Sequence, residues 1–233
     1  MMASGLQTAK RDLRKKIRDV LQKTPNESII HQSRVAVDKL FSLTEYQNAK
    51  RIGVYLSMPS GELSTTAIVQ DALTHGKEVF VPYIHSIDSP PSTQKKTSIM
   101  DMLALQSMEE FKSLEPDKWG IPSLTKAQVE NKRNCFGTIG VSPKTVEDAT
   151  QRFDGLDLII MPGMAFDQGF RRLGHGKGYY DHFLTRYSKK VADIALSLKE
   201  QMLPLTEEIP VADHDWPVDM LIVGDGRFLV RQP

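Results

Sequence analysis

The spacing of apolar side chains predicts a helix at the start of the chain. Between residues 9 and 22 no Gly or Pro interrupts the sequence, and apolar residues recur at helical spacing: Leu13, Ile17, Val20 and Leu21. A second helix is predicted to follow directly, because Thr24 can cap it, Pro25 suits its first turn and Glu27 can complete a capping box. Its side towards the core would carry Ile30, Val37, Leu40 and Phe41.

The next part of the chain has the pattern of a βαβ unit. Residues 51–58 form a β-branched and aromatic run of strand length that ends at Pro59. A helix capped by Ser64 or Thr65 would then run to a stop at Gly76, before a second strand over residues 78–81. Two strands joined by a helix imply a parallel pair with a right-handed crossover.

The remaining pattern extends this sheet. Further elements are predicted in chain order: a strand over 99–105, a short helix over 108–114, a buried strand over 156–161, a helix over 179–186, strands over 191–197 and 218–223, and a hairpin strand over 227–230. The polar segment 86–98 and the aperiodic segment 123–150 are predicted to be mobile surface loops. The fold class is therefore α/β: an open, mostly parallel sheet with helices on both faces, in a single domain over residues 1–233.

Composition and charge restrict the partners. The chain has 233 residues with 30 basic and 29 acidic side chains, so no whole-molecule field favours nucleic acid or a membrane surface. No apolar run is long enough to cross a bilayer, and the N-terminus lacks the apolar segment of a signal peptide. We expect a cytoplasmic monomer, although the basic N-terminus leaves a mitochondrial address open. The single cysteine, Cys135, has no activating base beside it and is not expected to be a nucleophile.

The loop after the buried strand 156–161 carries the strongest chemical pattern. Glycines at three alternate positions, 174, 176 and 178, stand beside Arg172 and Lys177. Such a loop suits a polyanion, because Gly lets the backbone approach a phosphate and the following helix N-terminus carries partial positive charge. It matches neither the P-loop nor the dinucleotide fingerprint. A plain solvent loop stays open as the alternative.

Two charged clusters are further candidates. Lys10, Arg14 and Arg18 are spaced by four along the first helix, so they share a face that either clamps a triphosphate or is merely solvated. Near the last long strand, carboxylates that suit Mg²⁺ crowd together: Asp213, Asp215 and Asp219. His214 lacks the companion ligands that a zinc site needs.

Together these segments resemble the 5-formyltetrahydrofolate cyclo-ligase family, also called methenyltetrahydrofolate synthetase. The similarity spans nearly the whole chain and rests on these motifs: AKRDLRKK, YLSMPSGEL, VFVPY, WGIP, MPGMAFD, RLGHGKGYYD and HDWPVD. The Gly-Tyr-Asp block is the most specific. The resemblance implies an α/β sheet flanked by helices, ATP as a substrate, Mg²⁺ as a cofactor and a folate as the other substrate.

The resemblance also implies roles for individual residues. The ATP-binding residues would be Lys10, Arg11, Arg14, Arg172, Leu173, Gly174, His175, Gly176, Lys177, Gly178, Tyr179 and Tyr180. The folate-binding residues would be Leu56, Glu62, His175, Gly176, Lys177, Gly178 and Tyr179, with Met58, Tyr83 and Trp119 as apolar walls. Asp181 and Asp215 would bind Mg²⁺. The catalytic residues would be Lys177, Arg172 and Asp181.

The implied reaction is phosphorylation of the formyl oxygen by ATP, followed by ring closure to 5,10-methenyltetrahydrofolate. Two other functions stay open at this point. A sugar-phosphate isomerase or acyl-transfer enzyme on a similar sheet would use the Gly-rich loop without ATP. A protein whose first helix docks RNA or anionic lipid is disfavoured, since net charge is balanced and no aromatic residues interleave the basic ones.

Overall fold

The computed structural model describes residues 2–87, 97–141, 155–187 and 191–232. The helices in these ranges are α1 (Met2–Leu21), α2 (Asn26–Phe41), α3 (Thr44–Asn48), α4 (Thr66–Thr74), α5 (Met108–Ser113), α6 (Lys126–Val129) and α7 (Tyr179–Tyr187), with a 3-10 turn at Lys199–Gln201. The strands are β1 (Arg51–Val54), β2 (Glu78–Ile87), β3 (Thr97–Leu105), β4 (Glu115–Pro116), β5 (Pro122–Ser123), β6 (Leu158–Met161), β7 (Ala165–Phe166), β8 (Arg172–Leu173), β9 (Ala192–Ser197), β10 (Met220–Val223) and β11 (Phe228–Val230).

Seven of these strands form one sheet in the order β11-β10-β9-β6-β1-β2-β3. The five inner strands pair in parallel, whereas β3 and β11 are antiparallel edge strands. Within the sheet, β1 pairs with β2 on one side and with β6 on the other, so the order reverses between β1 and β6. The predicted βαβ unit, the mostly parallel sheet and the final hairpin are confirmed.

Helices cover both faces of the sheet. Along β6, Leu158 and Ile160 join the apolar cluster beneath α2 and α4, while Ile159 and Met161 join the cluster beneath α7, with its Phe183. All of these side chains are fully buried. A strand buried on both faces needs apolar residues at every position, which explains the continuous apolar run in the sequence.

The hairpin of β2 and β3 is longer than predicted. β2 does not end at Pro82 but continues to Ile87, and β3 begins at Thr97. β1 pairs with β2 only as far as Phe80, so beyond that point Pro82 has β3 as its only strand neighbour in the described sheet. Pro82 has no N–H to donate, but no hydrogen bond to β1 is lost, because β1 does not pair with this part of β2. The ends of the predicted 86–98 loop are thus strand, and residues 88–96 lie outside the described residues.

The segment 123–150 is not simply a surface excursion. Asn134 and Phe136 are buried, and Phe136 packs in the cluster beneath α7. The buried Lys132 donates through Nζ to the Ala104 carbonyl at 2.9 Å. Turns and isolated bridges build this segment, so its buried positions have no regular period that a sequence pattern could show. Residues 142–150 of the predicted loop lie outside the described residues.

Local details at two predicted elements differ as well. Pro25, not Thr24, is the residue before the first turn of α2, and no side chain caps that helix; the Thr24 hydroxyl donates back to the Val20 carbonyl at 3.4 Å. The strand predicted over 51–58 ends at Val54, because the chain then turns into a loop in which the Tyr55 hydroxyl donates to the Leu63 carbonyl at 2.9 Å.

A small hairpin lies between β6 and α7, where the sequence suggested only a loop. It consists of β7 and β8, and it forms a third apolar cluster with α1 through the buried Ile17 and Leu173. This contact fixes α1 against the segment that leads into the Gly-rich loop. None of the helices in the described ranges combines the length and apolar character needed to cross a membrane.

Candidate active site

The candidate site lies at the carboxyl edge of the sheet, where the strand order reverses. The loop after β1 and the loop after β6 both leave the sheet at this edge. Open α/β sheets bind ligands at such a switch point, because the two loops diverge and leave a crevice between them. Glu62 belongs to the first loop and the Gly-rich segment to the second.

The Gly-rich loop needs glycine at two of its positions. Gly176 and Gly178 have φ of 96° and 67°, a left-handed conformation that favours Gly. A Cβ atom at Gly176 would lie 3.3 Å from the Arg14 guanidinium carbon. The loop therefore exposes its backbone next to a cation and directly before the N-terminus of α7, the arrangement that favours an anion.

α1 brings two of its basic side chains to the site. Lys10 forms an ion pair with Asp215, and Arg14 donates through Nε to the Gly174 carbonyl at 2.8 Å. Burial lowers the pKa of Arg14, while the charge of Asp215 opposes this effect. The predicted N-terminal basic cluster thus meets the Gly-rich loop, although the two are about 160 residues apart in sequence.

The two predicted metal ligands share one corner of the site. Asp181 Oδ1 accepts hydrogen bonds from Arg172 Nη2 at 2.9 Å and from the backbone N–H of Trp216 at 3.2 Å. Trp216 directly follows Asp215 in sequence. Burial raises the pKa of Asp215, but hydrogen bonds from Lys10 and the Ala212 N–H outweigh it, so this pKa lies below its ordinary value.

Glu62 links the two loops. Its carboxylate is buried, and Oε2 accepts a hydrogen bond from the Met58 N–H at 3.0 Å. Its Oε1 lies 3.5 Å from Nε2 of His175 in the Gly-rich loop. A buried carboxylate that faces a neighbouring loop can accept hydrogen bonds from a ligand placed between them.

The predicted apolar walls have different surroundings. Met58 is half-buried at the turn, and Tyr83 is partly buried against the core cluster, which also contains Leu56, predicted to contact the folate. Trp119 is 49% exposed, and a Cβ at the adjacent Gly120 would lie 2.9 Å from Pro59, so this segment stands beside the loop after β1.

Three predicted site residues make few contacts in the described part of the chain. The side chain of Arg11 is 76% exposed and lies 3.5 Å from Asp12, not against the Gly-rich loop. Lys177 is exposed and makes no ion pair with any described residue. Arg18, the third member of the basic stripe, is exposed as well. Of the α1 cations named here, Lys10 and Arg14 contact the site.

Sequence reasoning missed a residue that shapes the site, Asp167. This carboxylate is buried in the turn of the β7–β8 hairpin, where it accepts hydrogen bonds from the N–H groups of Gly169, Arg171 and Ile209 at 2.8 to 3.1 Å. Asp167-Gln168-Gly169 is a turn signal that could have indicated this role.

The remaining chemical alternatives find little support in the described residues. Cys135 is buried, and burial raises the pKa of its thiol, so a nucleophilic thiolate is disfavoured there. No cluster of three or more His, Cys, Asp or Glu side chains suited to a metal ion occurs in the described ranges, and His214 is exposed.

Comparison with known proteins identifies the family. The model of the 5-formyltetrahydrofolate cyclo-ligase family matches residues 6–224. The chain is 34% identical to the 5-formyltetrahydrofolate cyclo-ligase of Mus musculus, over 97% of this chain and 98% of that protein. The chain belongs to the 5-formyltetrahydrofolate cyclo-ligase family.

Other members support the same assignment. A probable 5-formyltetrahydrofolate cyclo-ligase of Caenorhabditis elegans is 32% identical over 94% of each chain. The solved structure of 5,10-methenyltetrahydrofolate synthetase from Aquifex aeolicus has a similar fold, with a TM-score of 0.64 and 24% identity over 95% of this chain and 92% of that one. The predicted cyclo-ligase family, enzyme class and fold are confirmed, and these matches do not support the isomerase or acyl-transfer alternative.

Proposed function

We propose that this cyclo-ligase family member converts 5-formyltetrahydrofolate to 5,10-methenyltetrahydrofolate and consumes ATP. The observation that supports this function best is the meeting of two loops at the switch point. Glu62 faces the Gly-rich loop from one side, and the cations of α1 contact the same loop from another. A folate beside Glu62 and a triphosphate beside α1 would lie next to each other, as phosphoryl transfer between them requires.

The phosphate side of the site would use the cations already placed there. Lys10, Arg14 and Arg172 carry full positive charge, and the N-terminus of α7 adds partial charge. Charge that develops on the transferred phosphoryl group would be offset by these groups. Lys177 is exposed on the loop, and its ammonium would reach the phosphates from solvent.

We place Mg²⁺ at Asp181 and Asp215. Both carboxylates are largely buried, with side chains 16% and 14% exposed. Trp216 connects them, because it directly follows Asp215 in sequence and donates its backbone N–H to Asp181. Mg²⁺ is usually held by one or two carboxylates together with phosphate oxygens, so this donor set fits. When bound, Mg²⁺ would offset phosphate charge. Lys10 and Arg172, which hold the two carboxylates, would then pair with phosphate oxygens.

The folate side would depend on Glu62. A carboxylate can accept hydrogen bonds from the amino group and the ring N–H of a pterin at once. Burial strengthens these bonds, because a low dielectric surrounds them. Trp119 would supply an apolar wall beside this position.

The proposed chemistry needs no nucleophile from the protein. The formyl oxygen attacks the γ-phosphorus of ATP, and ADP leaves. The nitrogen at position 10 of the folate then attacks the activated formyl carbon and loses its proton. The bond from that carbon to oxygen breaks, phosphate leaves, and the methenyl bridge is complete. The protein's part is to position the two substrates and to stabilise charge.

The absorbance of the methenyl product tests this function. In one reaction, purified protein is mixed with 5-formyltetrahydrofolate, Mg²⁺ and ATP. A parallel reaction omits ATP. We expect an absorbance rise only with ATP, matched by ADP release. Turnover of a sugar phosphate without any nucleotide would instead support an isomerase.

Replacement of Lys177 tests the phosphate side. Lys177→Ala should lower kcat/KM about 100-fold or more, as loss of a charge that stabilises phosphoryl transfer usually does, while the exposed position leaves the fold intact. Lys50→Ala removes a similarly exposed lysine directly before β1, at the opposite edge of the sheet, and serves as the control. Equal rates in both variants would contradict the role of Lys177. Asp181→Ala is a poorer test, because it also removes the partner of the buried Arg172.

Two properties stay predictions from the sequence. The first is a cytoplasmic location, with a mitochondrial address left open. The second is a monomeric state. Size-exclusion chromatography with light scattering would test the second.

A further inference from the structure

The hydroxyl of Tyr180 is a buried polar group at the candidate site. Tyr180 is the second residue of α7, and its ring packs between the apolar clusters of both sheet faces. Its hydroxyl oxygen is inaccessible to solvent and has no hydrogen-bond partner among the described residues. Such groups cost free energy, so folded proteins rarely keep them unless a ligand or a water completes the bond.

A second tyrosine nearby shows the ordinary arrangement. Tyr55 is buried, and its hydroxyl donates to the Leu63 carbonyl at 2.9 Å. The negative charge of Glu62 acts on both phenols. Tyr55 and Tyr180 therefore share one neighbourhood, but only the hydroxyl of Tyr55 has a partner in the described part of the chain.

Charged groups from both halves of the site act on Tyr180. The Arg172 guanidinium carbon lies 5.7 Å from the centre of the Tyr180 ring. Burial raises the pKa of Tyr180 well above its ordinary value; Arg172 lowers it and Glu62 raises it. The phenol therefore keeps its proton and can donate a hydrogen bond towards a ligand. Arg172 belongs to the proposed phosphate side and Glu62 to the proposed folate side.

The covalent structure of a pterin indicates which atom would meet this donor. Around the ring, the N–H at position 3 is followed by the carbonyl at position 4, then by a ring-fusion carbon and the nitrogen at position 5, which carries the formyl group. If Glu62 accepts from the N–H at position 3 and the phosphate lies at the formyl group, the 4-carbonyl oxygen faces the space between them. That oxygen is an acceptor, and a phenol is the complementary donor.

We propose that Tyr180 is a substrate-positioning residue whose hydroxyl donates a hydrogen bond to the 4-carbonyl oxygen of the folate. This inference rests on the proposed function. The family resemblance places Tyr180 with ATP, whereas this proposal assigns its hydroxyl to the pterin. The bond would fix the ring so that the formyl group on the nitrogen at position 5 points to the γ-phosphate. It would also favour folates with a carbonyl at position 4 over those with an amino group there, because a phenol donates a hydrogen bond more strongly than it accepts one.

Tyr180→Phe tests the proposal, with Tyr55→Phe as the matched control. We expect Tyr180→Phe to bind 5-formyltetrahydrofolate about tenfold more weakly in calorimetry without ATP, as loss of one buried hydrogen bond predicts. Its affinity for ATP should not change. Its melting temperature should stay the same or rise, because the lost hydroxyl has no partner in the described protein. Tyr55→Phe should melt at a lower temperature, because it loses the hydrogen bond to the Leu63 carbonyl.

A 4-amino analogue of 5-formyltetrahydrofolate identifies the atom. The wild type should prefer the 4-oxo compound, and Tyr180→Phe should narrow that preference by up to about tenfold, since the bond that the phenol donates to the carbonyl is stronger than the bond that it can accept from the amino group. Tyr55→Phe should keep the wild-type preference. Unchanged preference in Tyr180→Phe would overturn the proposal, as would weaker ATP binding with unchanged folate binding. Failure of the wild type to bind or turn over 5-formyltetrahydrofolate would instead refute the proposed function itself.

Discussion

Asp193 in β9 is an acidic residue that the proposed chemistry does not use. It is buried, and its Oδ1 accepts a hydrogen bond from the Asp219 N–H at 2.8 Å. Burial raises its pKa from 3.8 to about 7; the Asp219 N–H lowers it, the Asp219 charge raises it, and Arg172 and Arg231 lower it. The unfolded chain would ionise this group near pH 4, whereas the folded chain keeps the proton up to about pH 7.

The pH dependence of stability follows from this difference. Between pH 4 and pH 7 the folded state binds more protons than the unfolded state, so stability falls as pH rises through this range and the full penalty is present above pH 7. Asp193→Asn removes the charge and can keep the hydrogen bond to Asp219. We expect it to raise the free energy of unfolding at pH 8 by about 2 to 4 kcal/mol, at about 1.4 kcal/mol per pKa unit.

Urea unfolding of the wild type and Asp193→Asn at pH 5, 6.5 and 8 measures this effect. The difference in the free energy of unfolding between Asp193→Asn and the wild type should shrink steadily towards pH 5. A constant difference between the two proteins over this range would show that Asp193 does not titrate there. Asp225→Asn is a suitable control, because Asp225 is more exposed and pairs with Arg227.

At the scale of elements, α1 carries out two tasks with two of its faces. Its apolar face packs Ile17 against the β7–β8 hairpin, and its basic face presents Lys10 and Arg14 to the site. The spacing of four residues predicted that its cations share a face. It did not predict that Arg18 would remain exposed, because the hairpin on which α1 docks has no signal in the local sequence of the helix.

Docking of α1 should therefore control ATP binding from a distance. Ile17→Ala removes buried methyl and methylene groups, and such changes cost about 2 to 5 kcal/mol where the side chain is fully packed. Because the phosphate-binding charges stay in the chain, we expect ATP affinity to fall about tenfold or more as the docked helix becomes less populated. Val20→Ala on the same helix is the control, since Val20 is 41% exposed. Equal ATP affinities in the two variants, measured by calorimetry, would contradict this coupling.

At the scale of the whole molecule, the site exists only where three distant segments meet. α1, the loop after β1 and the loop after β6 contribute Arg14, Glu62 and His175 to one edge of the sheet. Ligands that bind such a site stabilise the arrangement of all three segments, because they bind the assembled form only.

Hydrogen exchange can detect this assembly. With a non-hydrolysable ATP analogue at 100 times its Kd, amides of α1 that exchange by undocking should slow about 100-fold. Amides of α3, which lies on the connection from α2 to β1 at the opposite edge of the sheet, should not change. Unaltered exchange in α1 would show that nucleotide binding does not involve this helix.

The sequence by itself determined most elements of the main sheet and the class of chemistry. Apolar periodicity is a local property, so it located α7 and the continuous apolar run of β6, and the order of elements implied a parallel sheet. The Gly-rich motif with its flanking cations indicated a polyanion site, because those residue types are needed wherever a backbone approaches phosphate. The sequence placed Lys10 and Asp215 in one site only through its resemblance to the family.

The tertiary structure decided which side chains contact each other. It pairs Lys10 with Asp215 and Arg172 with Asp181, and it leaves the hydroxyl of Tyr180 buried without a partner in the described chain. It also extends β2 past Pro82 and buries side chains of the aperiodic segment around Asn134. Contacts of this kind join residues far apart in sequence, and burial depends on the neighbours that the fold supplies. No local pattern carries that information, so only the folded chain could provide it.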